Sequence, residues 1–166
     1  ADVSADNGVI HIVDAVITLP SVVTFAAADA ATFSELVGAL TRADQPDYVS
    51  VLTTANGTAP APFTVFAPTN QAFADLYAEL GVAGIDDVDG AILTATLNTH
   101  VVAGANVRAE DLVTGTVATL GDAVEIDATT AIITDPNGRT SQVIVTNVQA
   151  ANGVIHAIDT VLLPQL

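Results

Sequence analysis

Apolar residues recur at helical spacing in three stretches of the first hundred residues. Phe33, Leu36, Val37 and Leu40 fall three and four apart behind Thr32-Phe-Ser-Glu35. That tetrad is a capping-box pattern, in which the Thr32 hydroxyl accepts from the N3 amide and Glu35 reaches back. Phe73, Leu76, Tyr77 and Leu80 form a second helical set, which Thr69 or Asn70 can cap. Ile92, Leu93 and Leu97 lie on a third predicted helix, 91–101. Between the first two helices, Thr53 to Pro62 is polar and holds Asn56-Gly57, Pro60 and Pro62, which predicts a loop. Phe63 to Ala67 then reads as a short buried strand broken by Pro68. Past Val113 the period shortens, and strands are predicted at about 116–120, 123–127, 130–134, 142–148 and 153–163. Asp135-Pro-Asn-Gly138 marks a hairpin turn, with Pro136 presetting φ and Gly138 accepting a left-handed conformation. The last strand, GVIHAIDTVLL, is apolar on both faces and should be central in its sheet. Helices first and strands later predict an α+β domain with an antiparallel sheet.

One pattern occurs twice. Residues 2–17 (DVSADNGVIHIVDAVI) and 147–162 (NVQAANGVIHAIDTVL) are identical at nine of sixteen positions, at an offset of 145 residues. That offset is one domain length, longer than any solenoid period. It implies a tandem array, with residues 1–20 as the terminal strand of a preceding module or an N-terminal extension and 21–166 as one full module. The alternative is that both copies pair within one domain.

Composition narrows the partners. With 166 residues the chain suits one domain and a short extension. Hydrophobic residues reach 51% but aromatics only 4%, so the core must be mostly Val, Ile, Leu and Ala. The absence of cysteine excludes a disulfide scaffold, thiol chemistry and thiolate-bound zinc. Nineteen acids face three arginines (Arg42, Arg108, Arg139) and no lysine. A net charge of -16 repels the nucleic-acid backbone and anionic lipid, so nucleic acid and direct membrane-surface binding are discounted, and with no run of 18 apolar residues direct membrane insertion is not expected. The same charge suits a protein kept soluble in a salty medium, where screening tempers self-repulsion. Together with the missing lysine and scarce aromatics, it points to a bacterium of a saline habitat.

Candidate chemistry is sparse. His11, His100 and His156 all sit in apolar strings, where a histidine is read as a core residue with its ring nitrogens satisfied locally. No HxxxH spacing or cysteine supports a metal centre, and no metal or cofactor is expected. No serine lies in GxSxG or SxxK, so no nucleophile is identified. Asp86, Asp87 and Asp89 precede Gly90, but an EF-hand register would put Ile85 at position 1 and Thr96 at position 12. These acids are read as N-terminal helix residues that complement the helix dipole. Asn152-Gly153, repeated as Asn7-Gly8, is read as a tight turn in which the glycine permits an unusual φ.

TVFAPTNQAF (64–73) resembles the first signature of fasciclin (FAS1) domains, NGVIHAIDTVLLP (152–164) the second, and LNTHVVAG (97–104) the Tyr-His segment between them. All three stand in family order, over about residues 21–164. The resemblance implies the FAS1 fold, an antiparallel β-wedge packed with a helical bundle. It also implies a non-catalytic, extracellular role in cell adhesion, often with neighbouring modules of the same kind. The implied partner is a cell-surface or matrix protein or a polysaccharide. A glycan- or small-ligand-binding domain is the alternative. The resemblance marks Phe66, Pro68, Thr69, Asn152, Gly153 and His156 as structural signature positions. The family's Tyr-His pair stands here as Thr99-His100, and the Asp-Ile pair of animal adhesion members as Asn147-Val148. Those four are the binding positions it implies.

Overall fold

A computed structural model describes residues 2–15 and 19–165. Val16 and Ile17, which end the N-terminal copy of the repeat, lie outside the described residues. The chain opens with a hairpin, β1 (Asp2–Ala5) and β2 (Gly8–His11), which pair with each other as a separate two-stranded sheet. Three helices follow: α1 (Val22–Ala28), α2 (Ala30–Thr41) and α3 (Tyr48–Leu52). Then come β3 (Phe63–Pro68), α4 (Asn70–Leu80), α5 (Gly90–Thr99) and β4 (Val101–Ala103). The remainder is β5 (Gly115–Val117), β6 (Val124–Asp127), β7 (Ile132–Thr134), β8 (Thr140–Ala150) and β9 (Gly153–Ile158).

The main sheet runs β4-β3-β9-β8-β7-β6-β5. Its pairs are antiparallel except β3 with β9, which run parallel from Phe63↔Gly153 to Pro68↔Ile158. Every residue of β3 and β9 is buried. A strand apolar on both faces belongs inside a sheet with both faces covered, and β9 sits centrally as its sequence predicts. Alternation then divides the interior in two. Phe63, Val65, Ala67, Ile155 and Ala157 face a core built with Phe33, Leu36, Leu40, Phe73, Leu76 and Leu97 from the helices. Phe66 and Ile158 face a second core with Val102, Val124, Ile126, Ile133, Val143 and Leu162.

Several local expectations are corrected. Thr32 does not cap a helix, because α2 already begins at Ala30. The backbone departs from helical geometry at Phe33, and Asn70 bridges the break from another helix. Its Oδ1 accepts from Glu35 N at 2.9 Å and its Nδ2 donates to the carbonyls of Ala30 and Ala31. Glu35 instead accepts from the Tyr77 hydroxyl at 2.8 Å. Thr69 caps α4 by accepting from Ala72 N. The last strand stops at Ile158 rather than 163. Beyond it the amides of Leu162 and Leu163 donate to the His100 ring and the Asp135 carboxylate, not to a neighbouring strand.

Asn152 and Gly153 carry the junction between the two layers. Asn152 is buried; its Oδ1 accepts from Val22 N at 3.0 Å, and its Nδ2 donates to Leu52 O and Thr54 O at 2.8 and 2.9 Å. Its main-chain carbonyl accepts from Phe63 N. The tight turn predicted here is present, but Gly153 is not required for an unusual φ. It is required by proximity: a Cβ would collide with the Phe63 carbonyl oxygen. Asn152→Ala strands a buried donor and two carbonyls, and should cost about 3 kcal/mol or more of unfolding free energy. Gly153→Ala should cost a comparable amount through the forced separation of β3 from β9. Urea unfolding followed by far-UV circular dichroism checks both; a loss under about 1 kcal/mol for either would contradict this account.

Candidate functional site

The sequence-implied positions fall in three different environments. Thr99 and His100 are buried at the end of α5. The Thr99 hydroxyl donates to Ala95 O at 2.9 Å. His100 Nδ1 donates to Thr96 O at 2.7 Å, its Nε2 accepts from Leu162 N at 3.0 Å, and its carbonyl accepts from Phe66 N. The ring is thereby fixed as one neutral tautomer, and burial pushes its pKa down to about 4. Its neighbour in this role is Asp135, whose buried carboxylate accepts from the amides of Asn137, Arg139 and Leu163. The Asp135-to-Gly138 turn and the 159–163 segment are locked together by these bonds.

His156 lies on β9 beside Phe66, with ring centroids 6.1 Å apart. Its Nε2 donates to Val107 O at 3.0 Å, while its Nδ1 is buried with no hydrogen-bond partner among the described residues. Burial lowers its pKa as well. His11 departs from the core-histidine expectation: it is exposed and meets Asp2 at 2.8 Å across the N-terminal hairpin. Of the acids before α5, Asp89 caps the helix by accepting from Ala91 N and Ile92 N, while Asp87 accepts from Ala83 N. Arg42 reaches into the same loop and donates to the carbonyls of Ile85 and Val88.

Asn147 and Val148 belong to a different surface. Asn147 is exposed and holds a left-handed φ of 60°, within a stretch of β8 whose register against β9 shifts twice. Its Oδ1 accepts from Ala109 N at 2.8 Å and its Nδ2 donates to Glu110 at 2.8 Å. Glu110 also lies 3.6 Å from Arg108. Gln149 and Asn106 bond side chain to side chain two residues along. The irregular part of β8 is thus fastened to the 106–111 segment. It presents Ile144 and Val145, each about half exposed, beside Thr146 and Asn147. Val148 is half-buried and packs against the helix-side core. Sequence reasoning missed Ile144 and Val145 as surface residues, since an apolar pair in a predicted strand reads as core.

The segment that braces Asn147 also roofs a cavity of about 280 Å³. Thr64, Phe66, Val102, Val107, Leu112 and Ile126 are among the residues that line it. Its polar lining residues are Thr64, whose hydroxyl is already engaged by Ala105 O and Val107 N, together with Asp111, Thr114 and Thr116. Among the described residues no group of three His, Asp or Glu side chains converges as a metal set, and no helix is long and apolar enough to cross a membrane.

Comparison with known proteins places these features in company. A family model for the fasciclin domain matches residues 31–164. Protein sll1483 of Synechocystis is 38% identical over 137 residues, covering 81% of this chain and 69% of that protein. Cell surface glycolipoprotein MPB83 of Mycobacterium bovis is 35% identical over 146 residues, covering 86% of this chain and 60% of that protein. A solved FAS1 domain pair from the insect cell adhesion molecule Fasciclin I superposes with a TM-score of 0.67 at 21% identity, over 99% of this chain and 57% of the pair. The chain thus spans little more than half of that solved pair.

A neutral, buried His100 has a definite pH consequence. Its pKa lies below the ordinary 6.5 in the folded state, so the unfolded chain takes up a proton that the folded one refuses. The stabilisation is complete above pH 6.5 and is lost as pH falls toward 4, by on the order of 3 kcal/mol. His100→Gln should be less stable at pH 7 by about 1–3 kcal/mol and should lack this component of the acid slope. Urea unfolding at pH 7, 5 and 4 checks it; parallel pH profiles for the two proteins would refute the assignment.

Proposed function

The chain belongs to the fasciclin family, and on that footing we propose that it is a non-catalytic extracellular module for cell adhesion or matrix binding. Its contacts are individually weak and are strengthened by repetition of the module. The observation that carries this proposal is the braced stretch of β8, where Ile144, Val145 and Asn147 stand exposed on an irregular but fastened backbone. A strand edge fixed by side-chain bonds loses little freedom on binding, so a modest apolar contact contributes most of its free energy to association. The buried titratable groups support a binding role over catalysis, because His100 and Asp135 are committed to backbone amides and carbonyls. The partner is a cell-surface or matrix component, and the acidic surface selects against polyanions.

Binding to a panel of glycans and cell-surface extracts, across a salt and calcium series, tests the proposal. The single module should bind one class saturably and weakly, and a two-module protein should bind it about a hundredfold more tightly. Ile144→Ser/Val145→Ser should reduce binding at least about tenfold with little change in melting temperature. Unchanged binding by that double variant would remove the β8 surface from the proposal, and no binding by either the one- or two-module protein would remove adhesion.

A second reading rests on the cavity under the 106–117 segment. Its apolar lining suits a small apolar ligand rather than a sugar. Aromatic platforms for sugar stacking are scarce: Tyr48 is buried, and its hydroxyl is spent on Thr94 and Asn98, while Tyr77 is bonded to Glu35. Val102→Phe should fill the space and abolish binding of a hydrophobic fluorescent dye. Equal dye binding by the variant would discard this second reading.

A further inference from the structure

The N-terminal hairpin carries residues of a core but has no core. Val9 is 54% exposed and Ile10 60%, and Ile12 and Val13 are exposed as well. Their counterparts in the repeat, Val154, Ile155, Ala157 and Ile158, are all at most 3% exposed. The two copies also share a register. Val3↔Ile10, Ser4↔Val9 and Ala5↔Gly8 in β1–β2 reproduce Val148↔Ile155, Gln149↔Val154 and Ala150↔Gly153 in β8–β9. Both hairpins turn through an Asn that precedes a Gly. In β9 that glycine is demanded by the approach of Phe63, whereas around Gly8 nothing lies within 4 Å. The N-terminal hairpin therefore has the register, the two apolar faces and the glycine of a strand seated against a β3-like neighbour, with no such neighbour beside it among the described residues.

We infer that residues 2–15 are the closing hairpin of a second fasciclin unit, placed before this one on the same polypeptide. In it, β2 lies parallel to that unit's counterpart of β3, and Gly8 meets the carbonyl that Phe63 supplies here. The inference concerns how a fold is completed and stands whether or not the adhesion proposal holds. It also bears on where the present unit begins. Pro20 O accepts from Ala151 N at 2.9 Å, Ser21 caps α1, and Val22 N donates to Asn152. The chain from Pro20 onward is thus pinned to this unit.

The test extends the full chain with a surrogate neighbour: residues 21–146 are placed directly before residues 2–166, so that Asp2 follows Thr146 as Asn147 does here. The added copy lacks its own closing hairpin and should borrow residues 2–17. Two folded units are then expected, resistant to thermolysin, with the amides of Val9 to Val13 exchanging roughly a thousandfold more slowly than in the unextended chain. Gly8→Val should leave the melting temperature of the unextended chain unchanged but open the first unit of the extended one, releasing an intact 2–166 product on proteolysis. Ile12→Ala, which restores the residue found at Ala157, is the second version should the added methylenes overfill the site. Digestion of the first copy in both versions would overturn the inference, as would a folded first copy that tolerates Gly8→Val.

Discussion

One buried side-chain amide holds the helical layer and the sheet together. Asn152 takes the first amide of α1 on its oxygen, and its nitrogen serves two carbonyls at the end of α3. Its own carbonyl receives Phe63, where β3 begins. Each of those groups would otherwise be an orphan at a helix end or loop, inside a layer where water is excluded. Because the next residue has no side chain, β9 can close against β3 in parallel, and that pair sets which residues face which core. The helices, the loop of 53–62 and the two central strands are thus positioned from one corner.

Much of this was legible in the sequence. The buried strand of FTVFA, the Thr69-capped helix, the DPNG turn and the central last strand follow from periodicity and turn chemistry. What escaped depends on partners distant in sequence. The α1 segment, VVTFAAA, is rich in β-branched residues and only two turns long; it is helical because Ser21 and Asn152 satisfy its first amides. The break at Phe33 is bridged by Asn70, 35 residues from the amide it serves. The run VLL at 161–163 looks like more strand, yet its amides are taken by His100 and Asp135. No local window contains those donors and acceptors together.

The candidate binding positions divide along the same line. Thr99 and His100 occupy signature positions but work inward, closing α5 onto the second core. Asn147 works at the surface, where its left-handed backbone and two side-chain bonds hold an irregular strand still. Sequence similarity marks both kinds of residue with equal weight. Burial separates those that build the scaffold from those that a partner can touch.

The basic side chains are few, and they are engaged. Arg42 holds the carbonyls of Ile85 and Val88 with Asp44 beside it, and Arg139 binds Glu79 and the Val161 carbonyl. Arg108 faces Glu110. With no lysine in the sequence, trypsin has only three bonds to cut, and two of them follow guanidinium groups that are largely covered. Cleavage at those two must wait for the surrounding structure to open, which leaves the bond after the half-exposed Arg108 as the first to be cut. The same composition leaves no side-chain amine for acylation or aldehyde cross-linking.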